Sequence, residues 1–256
     1  MTFCATLRLL KYTIMRTFKN KIALYAALTF CFLSFSNIFL YAQVDDDNGR
    51  VNKDAMLWST ISLEKKITQR LSINIDEELR LLNNFNQINL NYVNFGSYFA
   101  IDKHLKVGVV YRWIEKNNFD GSYSQRHRFY VDATYKTKIK SVTFAYRTRL
   151  QTQVRDYYSS FDGRIPESYW RNKFDLKFDI NKPITPYIGA EFRYQFPNMR
   201  LKEANNEFNR GRYYAGFNYK ISDKYSCGAY YLYQREFNIN NPERDHVFGL
   251  EFGITL

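Results

Sequence analysis

Apolar and polar side chains alternate along this chain over residues 55–256. In a representative stretch, Val107 and Val109 occupy one parity, whereas Lys106 and Arg112 occupy the other. Because successive side chains of a β-strand point to opposite faces, the alternation predicts strands with one apolar and one polar face. Eleven segments of 11 to 14 residues fit this pattern, at residues 55–65, 70–80, 88–101, 105–115, 125–136, 141–153, 169–179, 184–196, 210–221, 225–237 and 245–256.

The connections between these segments alternate in length. Short polar turns alternate with longer polar connections, the short ones including residues 102–104, 180–183 and 222–224 and the long ones residues 116–124, 154–168, 197–209 and 238–244. Outer-membrane barrels place short turns in the periplasm and longer loops outside the cell. We therefore predict an all-β fold, an antiparallel transmembrane barrel at residues 55–256. A soluble β-sandwich is the alternative, although its strands average only about five or six residues.

The number of segments conflicts with this fold. A closed antiparallel barrel whose two termini both lie in the periplasm needs an even number of strands. Two solutions remain: a twelfth strand within residues 43–54, or a first segment that is not a full wall strand, which leaves ten. We favour twelve strands over ten.

The first 42 residues have the features of an export signal. Basic residues precede an apolar stretch at residues 22–41, and Ala42 provides a small residue at the cleavage position. We predict a signal peptide at residues 1–42, with Met15 as a candidate start, and a polar lead-in at residues 43–54. About 20 apolar residues can also span a bilayer, so an uncleaved inner-membrane anchor is the alternative.

One parity is free of charged residues in several segments, and we predict that it faces lipid. An Arg or Lys at mid-depth on the lipid face costs about 2–4 kcal/mol, so a bilayer selects against charges there. The positions are Val93, Phe95, Phe99, Phe129, Val131, Ala133, Tyr135, Val142, Phe144, Tyr146, Leu150, Trp170, Phe174, Leu176, Phe178, Ile188, Phe192 and Phe196.

Aromatic residues near the segment ends suit the two membrane interfaces, where amphipathic rings settle at headgroup level. The examples are Trp58, Trp113, Tyr135, Tyr187, Tyr219 and Tyr225. The last segment, at residues 245–256, is apolar on one parity and resembles the C-terminal strand by which the outer-membrane assembly machinery recognises its clients. It ends in Leu256, where a terminal Phe is commoner.

The opposite parity carries the charges, and we predict that it lines the lumen. An unmatched basic surplus would favour anions in a narrow channel, whereas closely paired charges would fill the lumen and give a structural or adhesive barrel without transport. The candidate lumen residues are Arg80, Arg112, Arg126, Arg128, Arg147, Arg149, Arg171, Lys173, Arg193, Arg212, Glu78, Asp132, Asp175 and Glu191.

The remaining composition excludes other functions. The net charge falls from +12 to +7 once the five basic residues of the leader are removed, and basic residues alternate with acidic ones instead of forming one patch, which argues against nucleic acid. Cys227 stands alone after the leader, which excludes an internal disulfide there. We expect no metal and no cofactor, because the acidic run at residues 45–49 lacks the later ligand of a calcium loop.

A lipid hydrolase is the least favoured function. His127 and His246 fall near the outer ends of strands, and Ser122 and Ser124 precede the first of them, so a Ser/His pair at the rim is conceivable. No nucleophile motif surrounds either serine, and His104 lies in a short turn. We therefore expect no enzymatic activity and no catalytic residue.

Several pieces of the sequence, in their order, resemble an uncharacterised outer-membrane barrel family, domain of unknown function 2490. They are Trp58, residues 78–80, residues 126–128, residues 146–149, residues 169–173, residues 191–193 and residues 210–216. The resemblance implies an exported barrel of unknown activity in the outer membrane of Gram-negative bacteria. The expected partners are outer-membrane lipid and lipopolysaccharide, the assembly machinery, and a small anionic solute.

Overall fold

The computed structural model describes residues 53–155, 164–180, 183–197, 207–238 and 242–256. The signal peptide predicted at residues 1–42 and most of the predicted lead-in lie outside these residues. Across the described ranges, no helix has the length and apolar character needed to span a membrane.

Eleven strands make up the described fold, and each overlaps one predicted segment with bounds that differ by at most three residues. They are β1 (Lys53–Lys66), β2 (Leu71–Leu82), β3 (Gln87–Ala100), β4 (Leu105–Asn117), β5 (Tyr123–Ile139), β6 (Val142–Arg155), β7 (Glu167–Phe178), β8 (Ile184–Gln195), β9 (Phe208–Lys220), β10 (Tyr225–Glu236) and β11 (Arg244–Thr255).

The strands form a closed barrel in chain order. Every consecutive pair is antiparallel, and the barrel closes where β1 pairs with β11 in parallel, from Lys53 opposite Arg244 to Glu64 opposite Thr255. The prediction of twelve strands, with ten as the alternative, is therefore wrong. The even count assumed that the closing pair is antiparallel, whereas an odd count leaves the first and last strands running in the same direction.

Parallel closure places the start of β1 at the same end of the barrel as the long connections. That end, the long-loop end, carries the connections that follow β2, β4, β6, β8 and β10, of which those after β6, β8 and β10 are the long ones, and the other end, the short-turn end, carries the remaining turns and Leu256. Because β1 and β11 pair along their length, the described barrel has no open sheet edge that could pair with another chain.

The side chains divide as the alternation predicts. Large apolar residues of the outward parity are exposed, with Val109 at 62% and Leu250 at 50%, whereas inward residues such as Val110 at 1% are buried. Glu77 breaks the outer pattern: it is exposed in the middle of β2 and accepts a hydrogen bond from Asn91 Nδ2 at 3.3 Å.

The aromatic residues at the strand ends divide between the two faces. Tyr135 and Tyr219 are exposed on the outer wall, as predicted. Trp58 and Tyr187 are buried and line the lumen, so their assignment to the membrane interface is wrong. Both share the parity of charged inward residues on their strands, and parity decides their side of the wall.

Two β-bulges shift the register at the long-loop end of the barrel. In β2–β3 the pairing shifts between Arg80 and Leu81, and in β8–β9 it shifts between Arg193 and Tyr194. The second bulge turns Asn209 into the lumen, where it is only 1% exposed. A bulge adds one residue to one strand, so Asn209 has no direct partner on β8.

Candidate functional site

The lumen contains a cavity of about 590 Å³. Of the fourteen candidate lumen residues, twelve line it: Arg80, Arg112, Arg126, Arg128, Arg147, Arg149, Arg171, Lys173, Arg193, Arg212, Glu78 and Glu191. Asp132 and Asp175 lie behind it against the wall, each paired with a lining cation. A second cavity of about 320 Å³ lies towards the short-turn end and shares Thr60, Ser62 and Glu251 with the first.

Glu191 on β8 is the centre of the largest ion-pair cluster. Its carboxylate is buried and contacts Arg147 Nη2 at 2.7 Å, Arg212 Nη1 at 3.4 Å and the guanidinium of Arg171. Arg171 also donates to Gln151 Oε1 at 3.2 Å. One carboxylate thereby holds three guanidinium groups from β6, β7 and β9.

Asp132 on β5 neutralises Arg149 on β6. Both are buried, and Arg149 donates Nε and Nη2 to the two carboxylate oxygens at 2.6 and 2.7 Å. This two-pronged geometry is the strongest form of an arginine–carboxylate pair. The guanidinium also lies 3.7 Å from the ring centre of Tyr130.

Glu78 and Asp175 hold two further cations. Arg80 Nε donates to Glu78 Oε1 at 2.5 Å, and its guanidinium lies 3.6 Å from the ring centre of Trp58. Lys173 Nζ lies 3.2 Å from Asp175 Oδ1 and 4.5 Å from the ring centre of Tyr214.

Four arginines occupy directly paired positions on the adjacent strands β6, β7, β8 and β9. Arg149, Arg171, Arg193 and Arg210 are consecutive cross-strand partners, with Asp132 and Glu236 at the two ends of the row. Glu236 contacts both Arg210 and Arg193, the latter at 3.8 Å. Arg210 and Glu236 were missed in the sequence, although each has the inward parity of its strand.

Two further arginines occupy paired positions on β4 and β5 and form hydrogen bonds with neutral amide side chains. Arg112 on β4 and Arg128 on β5 are direct cross-strand partners. Arg112 Nε donates to Asn94 Oδ1 at 2.6 Å, and Arg128 donates Nε and Nη2 to Gln153 Oε1 at 3.0 and 2.5 Å. Asn94 and Gln153 were not predicted as site residues, because neutral amides give no charge signal in the sequence.

Two tyrosine rings lie flat against the wall because glycines make room for them. A Cβ added to Gly249 would lie 2.0 Å from Cζ of Tyr230, and one added to Gly108 would lie 2.3 Å from Cδ1 of Tyr98. Any larger residue at either glycine would push its ring towards the lumen axis. The contacts between these glycines and the tyrosine rings could not be predicted from the sequence.

The residues considered for hydrolase chemistry are not brought together. Ser124 is buried on the lumen side, whereas His127 lies on the outer parity, with its Nδ1 2.8 Å from the hydroxyl of Tyr111. His246 Nδ1 lies 2.6 Å from the hydroxyl of Tyr231. Ser122 bonds to Asp120 in the loop, with its hydroxyl 2.6 Å from Oδ1.

No cluster of three or more His, Cys, Asp or Glu residues in the described ranges is arranged to hold a metal ion. Cys227 is a free, partly buried thiol on β10.

Comparison with known proteins gives one finding. The family model described as "Protein of unknown function (DUF2490)" matches residues 55–245, from the third residue of β1 to the second of β11. No curated protein matches the chain.

Proposed function

Because the chain belongs to the DUF2490 family, whose description states no activity, we propose a function from the barrel itself: an outer-membrane protein whose lumen passes small anionic solutes. This choice of family was indicated by the sequence and is confirmed by the match. The membrane and the solute are our inference.

The exterior supports the membrane part of the proposal. Strands of 12 to 17 residues exceed the 9 to 11 or so that a tilted strand needs to cross a bilayer. Their outward side chains form a band of exposed Ile, Leu, Val and Phe, which in water would be an unusually large apolar surface. By the loop lengths, the short-turn end would face the periplasm and the long-loop end the outside.

The proposed partners follow from this orientation. Outer-membrane lipid and lipopolysaccharide would contact the apolar band, and the assembly machinery would recognise β11, whose outward residues Phe248, Leu250, Phe252 and Ile254 alternate with inward ones.

The observation that carries the transport part is the charge of the larger cavity. Its lining contains thirteen Lys and Arg side chains but seven Asp and Glu side chains. Rings of basic residues favour anions in narrow pores. The adjoining second cavity continues the space towards the short-turn end, and the tyrosine rings lie against the wall beside Gly108 and Gly249.

A filled structural barrel is the second candidate, because ion pairs cross much of the lumen. Glu191, Asp132, Glu78 and Glu236 together hold seven of the lining arginines. Such a barrel would carry no ions.

Conductance in planar bilayers separates the two candidates. Under a KCl gradient we expect small channels whose reversal potential has the sign of anion selectivity. Lys116→Glu should reduce that selectivity, because Lys116 lines the larger cavity and forms no ion pair with a described residue. Arg235→Glu is the matched control, since Arg235 is exposed on the outer parity of β10. A silent bilayer at high protein load would reject transport and favour the filled barrel.

A further inference from the structure

Arg112 and Arg128 are like charges in directly opposed positions, an arrangement that destabilises a sheet unless something relieves it. The two side chains contact opposite neighbours. Arg112 bonds to Asn94 on β3, and its guanidinium lies 3.6 Å from the ring centre of Tyr92, also on β3. Arg128 bonds instead to Gln153 on β6. The two guanidinium groups are thus drawn apart in opposite directions along the lumen side of β4 and β5.

Neutral amides, not carboxylates, hold both groups. Asn94 Nδ2 donates to Asp76 Oδ2 at 3.2 Å, and Gln153 Nε2 donates to Glu167 Oε2 at 3.5 Å. These bonds orient each amide so that its oxygen faces the arginine. Each acid therefore stays one strand further away than a direct partner would, and neither arginine forms an ion pair with any described residue.

The other buried arginines differ from this pair. Arg149 is paired with Asp132, and Arg147, Arg171 and Arg212 share Glu191, so each of these arginines is in direct contact with a carboxylate. At Arg112 and Arg128 two positive charges line the cavity without that contact. Arg112 is held in place by Tyr92 on one side, with the ring centre of Tyr130 at 5.7 Å on the other.

We propose that the gap between Arg112 and Arg128 binds the phosphate group of a small solute. The site would bind a solute of the proposed channel. It rests on the proposed function only in requiring that solutes reach the lumen. Arginine presents several N–H groups in a rigid fork, and each of these two retains N–H groups that its amide does not use. A tetrahedral oxyanion can accept from two forks on opposite sides and remove their repulsion, which gives short, charge-assisted hydrogen bonds.

Calorimetric titration of the purified, detergent-solubilised full chain with inorganic phosphate tests the site, in a buffer free of other oxyanions. We expect saturable binding that Arg112→Gln and Arg128→Gln each weaken at least about tenfold, because each variant removes one of the two forks. Arg235→Gln removes an exposed arginine from the outer wall and should leave binding unchanged. The shift in gel mobility on heating checks that each variant is folded.

The Gln153→Glu variant distinguishes a phosphate site from a purely structural role of the two arginines. It keeps both arginines but gives Arg128 a carboxylate of its own, so it should weaken phosphate binding at least about tenfold in a folded barrel. Acetate, which is planar, should bind at least about tenfold more weakly than phosphate. Equal binding of acetate and phosphate, or unchanged phosphate binding in the folded Gln153→Glu variant, would overturn the assignment.

Phosphate titration and the conductance measurement test the site and the channel independently. Phosphate binding in a protein that does not conduct would retain the site and reject transport. Anion conductance in a protein that shows no saturable phosphate binding would retain transport and reject the site.

Discussion

At the scale of single residues, the lumen depends on a few buried carboxylates, of which Glu191 and Glu236 each hold more than one arginine. Glu191 is 2% exposed and contacts three arginines from three strands. A buried charge is tolerated only when it is paired and hydrogen-bonded, because its desolvation is costly. Removal of such a carboxylate therefore leaves its partners with an uncompensated repulsion.

Glu191→Gln should destabilise the barrel by about 3–5 kcal/mol, the range for breaking one side of a buried pair. Glu77→Gln is the matched control, since Glu77 is exposed on the outer wall and accepts one hydrogen bond from Asn91. The free energy of unfolding by urea in detergent, followed by gel mobility without heating, measures both variants. Equal stabilities of the two variants would contradict the role given to Glu191.

Part of this arrangement could be predicted from the sequence. Parity assigned Arg112, Arg128 and Glu191 to the polar face, because side chains alternate strictly along a strand. Their partners could not be predicted, since they depend on the register between strands. Register is set by turn geometry and by bulges such as the one between Arg193 and Tyr194, which the sequence pattern does not show.

At the scale of elements, the closing strand pair is the feature that the sequence analysis missed. Strands that follow one another in the chain pair as antiparallel neighbours, so ten of the eleven pairings follow chain order. The pairing of β1 with β11 joins residues almost 200 positions apart, such as Ser59 and Leu250, and no local signal encodes it. The eleven predicted segments match the eleven strands, but the expected even strand number does not hold for a barrel that closes in parallel.

A disulfide across the closing pair tests the strand number. Ser59→Cys and Leu250→Cys, in a background without the three native cysteines (Cys4→Ser, Cys31→Ser and Cys227→Ser), lie at paired positions of neighbouring strands, where Cα separations suit a disulfide. Oxidation should cross-link them and change the gel mobility of the unfolded chain. The control combines cysteines at Leu79 on β2 and Leu250, which should not cross-link. Cross-linking of the control but not of the first pair would support ten strands with β1 outside the wall.

At the scale of the whole molecule, the barrel wall separates apolar side chains on the outside from ionic side chains on the inside. Val109 and Val131 are more than half exposed on the outer wall, whereas Arg112 and Asp132 on the same two strands are buried. The sequence showed this separation because the side-chain period of a strand is two residues, and a one-residue error would exchange the two faces. The function could not be predicted from this period, because it depends on which charged side chains contact one another across the lumen.

Spin-label accessibility in lipid bilayers tests that separation most directly. Single cysteines that replace Val109, Val131 or, for comparison, Lys116 are introduced into a background without the three native cysteines (Cys4→Ser, Cys31→Ser and Cys227→Ser), labelled, and exposed to oxygen or to a water-soluble nickel complex. Labels at Val109 and Val131 should be relaxed by oxygen and shielded from nickel, because both positions would face hydrocarbon in the proposed membrane barrel, whereas the label at Lys116 should be relaxed by nickel. Relaxation of the Val109 and Val131 labels by nickel would show that the apolar exterior faces water and would contradict the account.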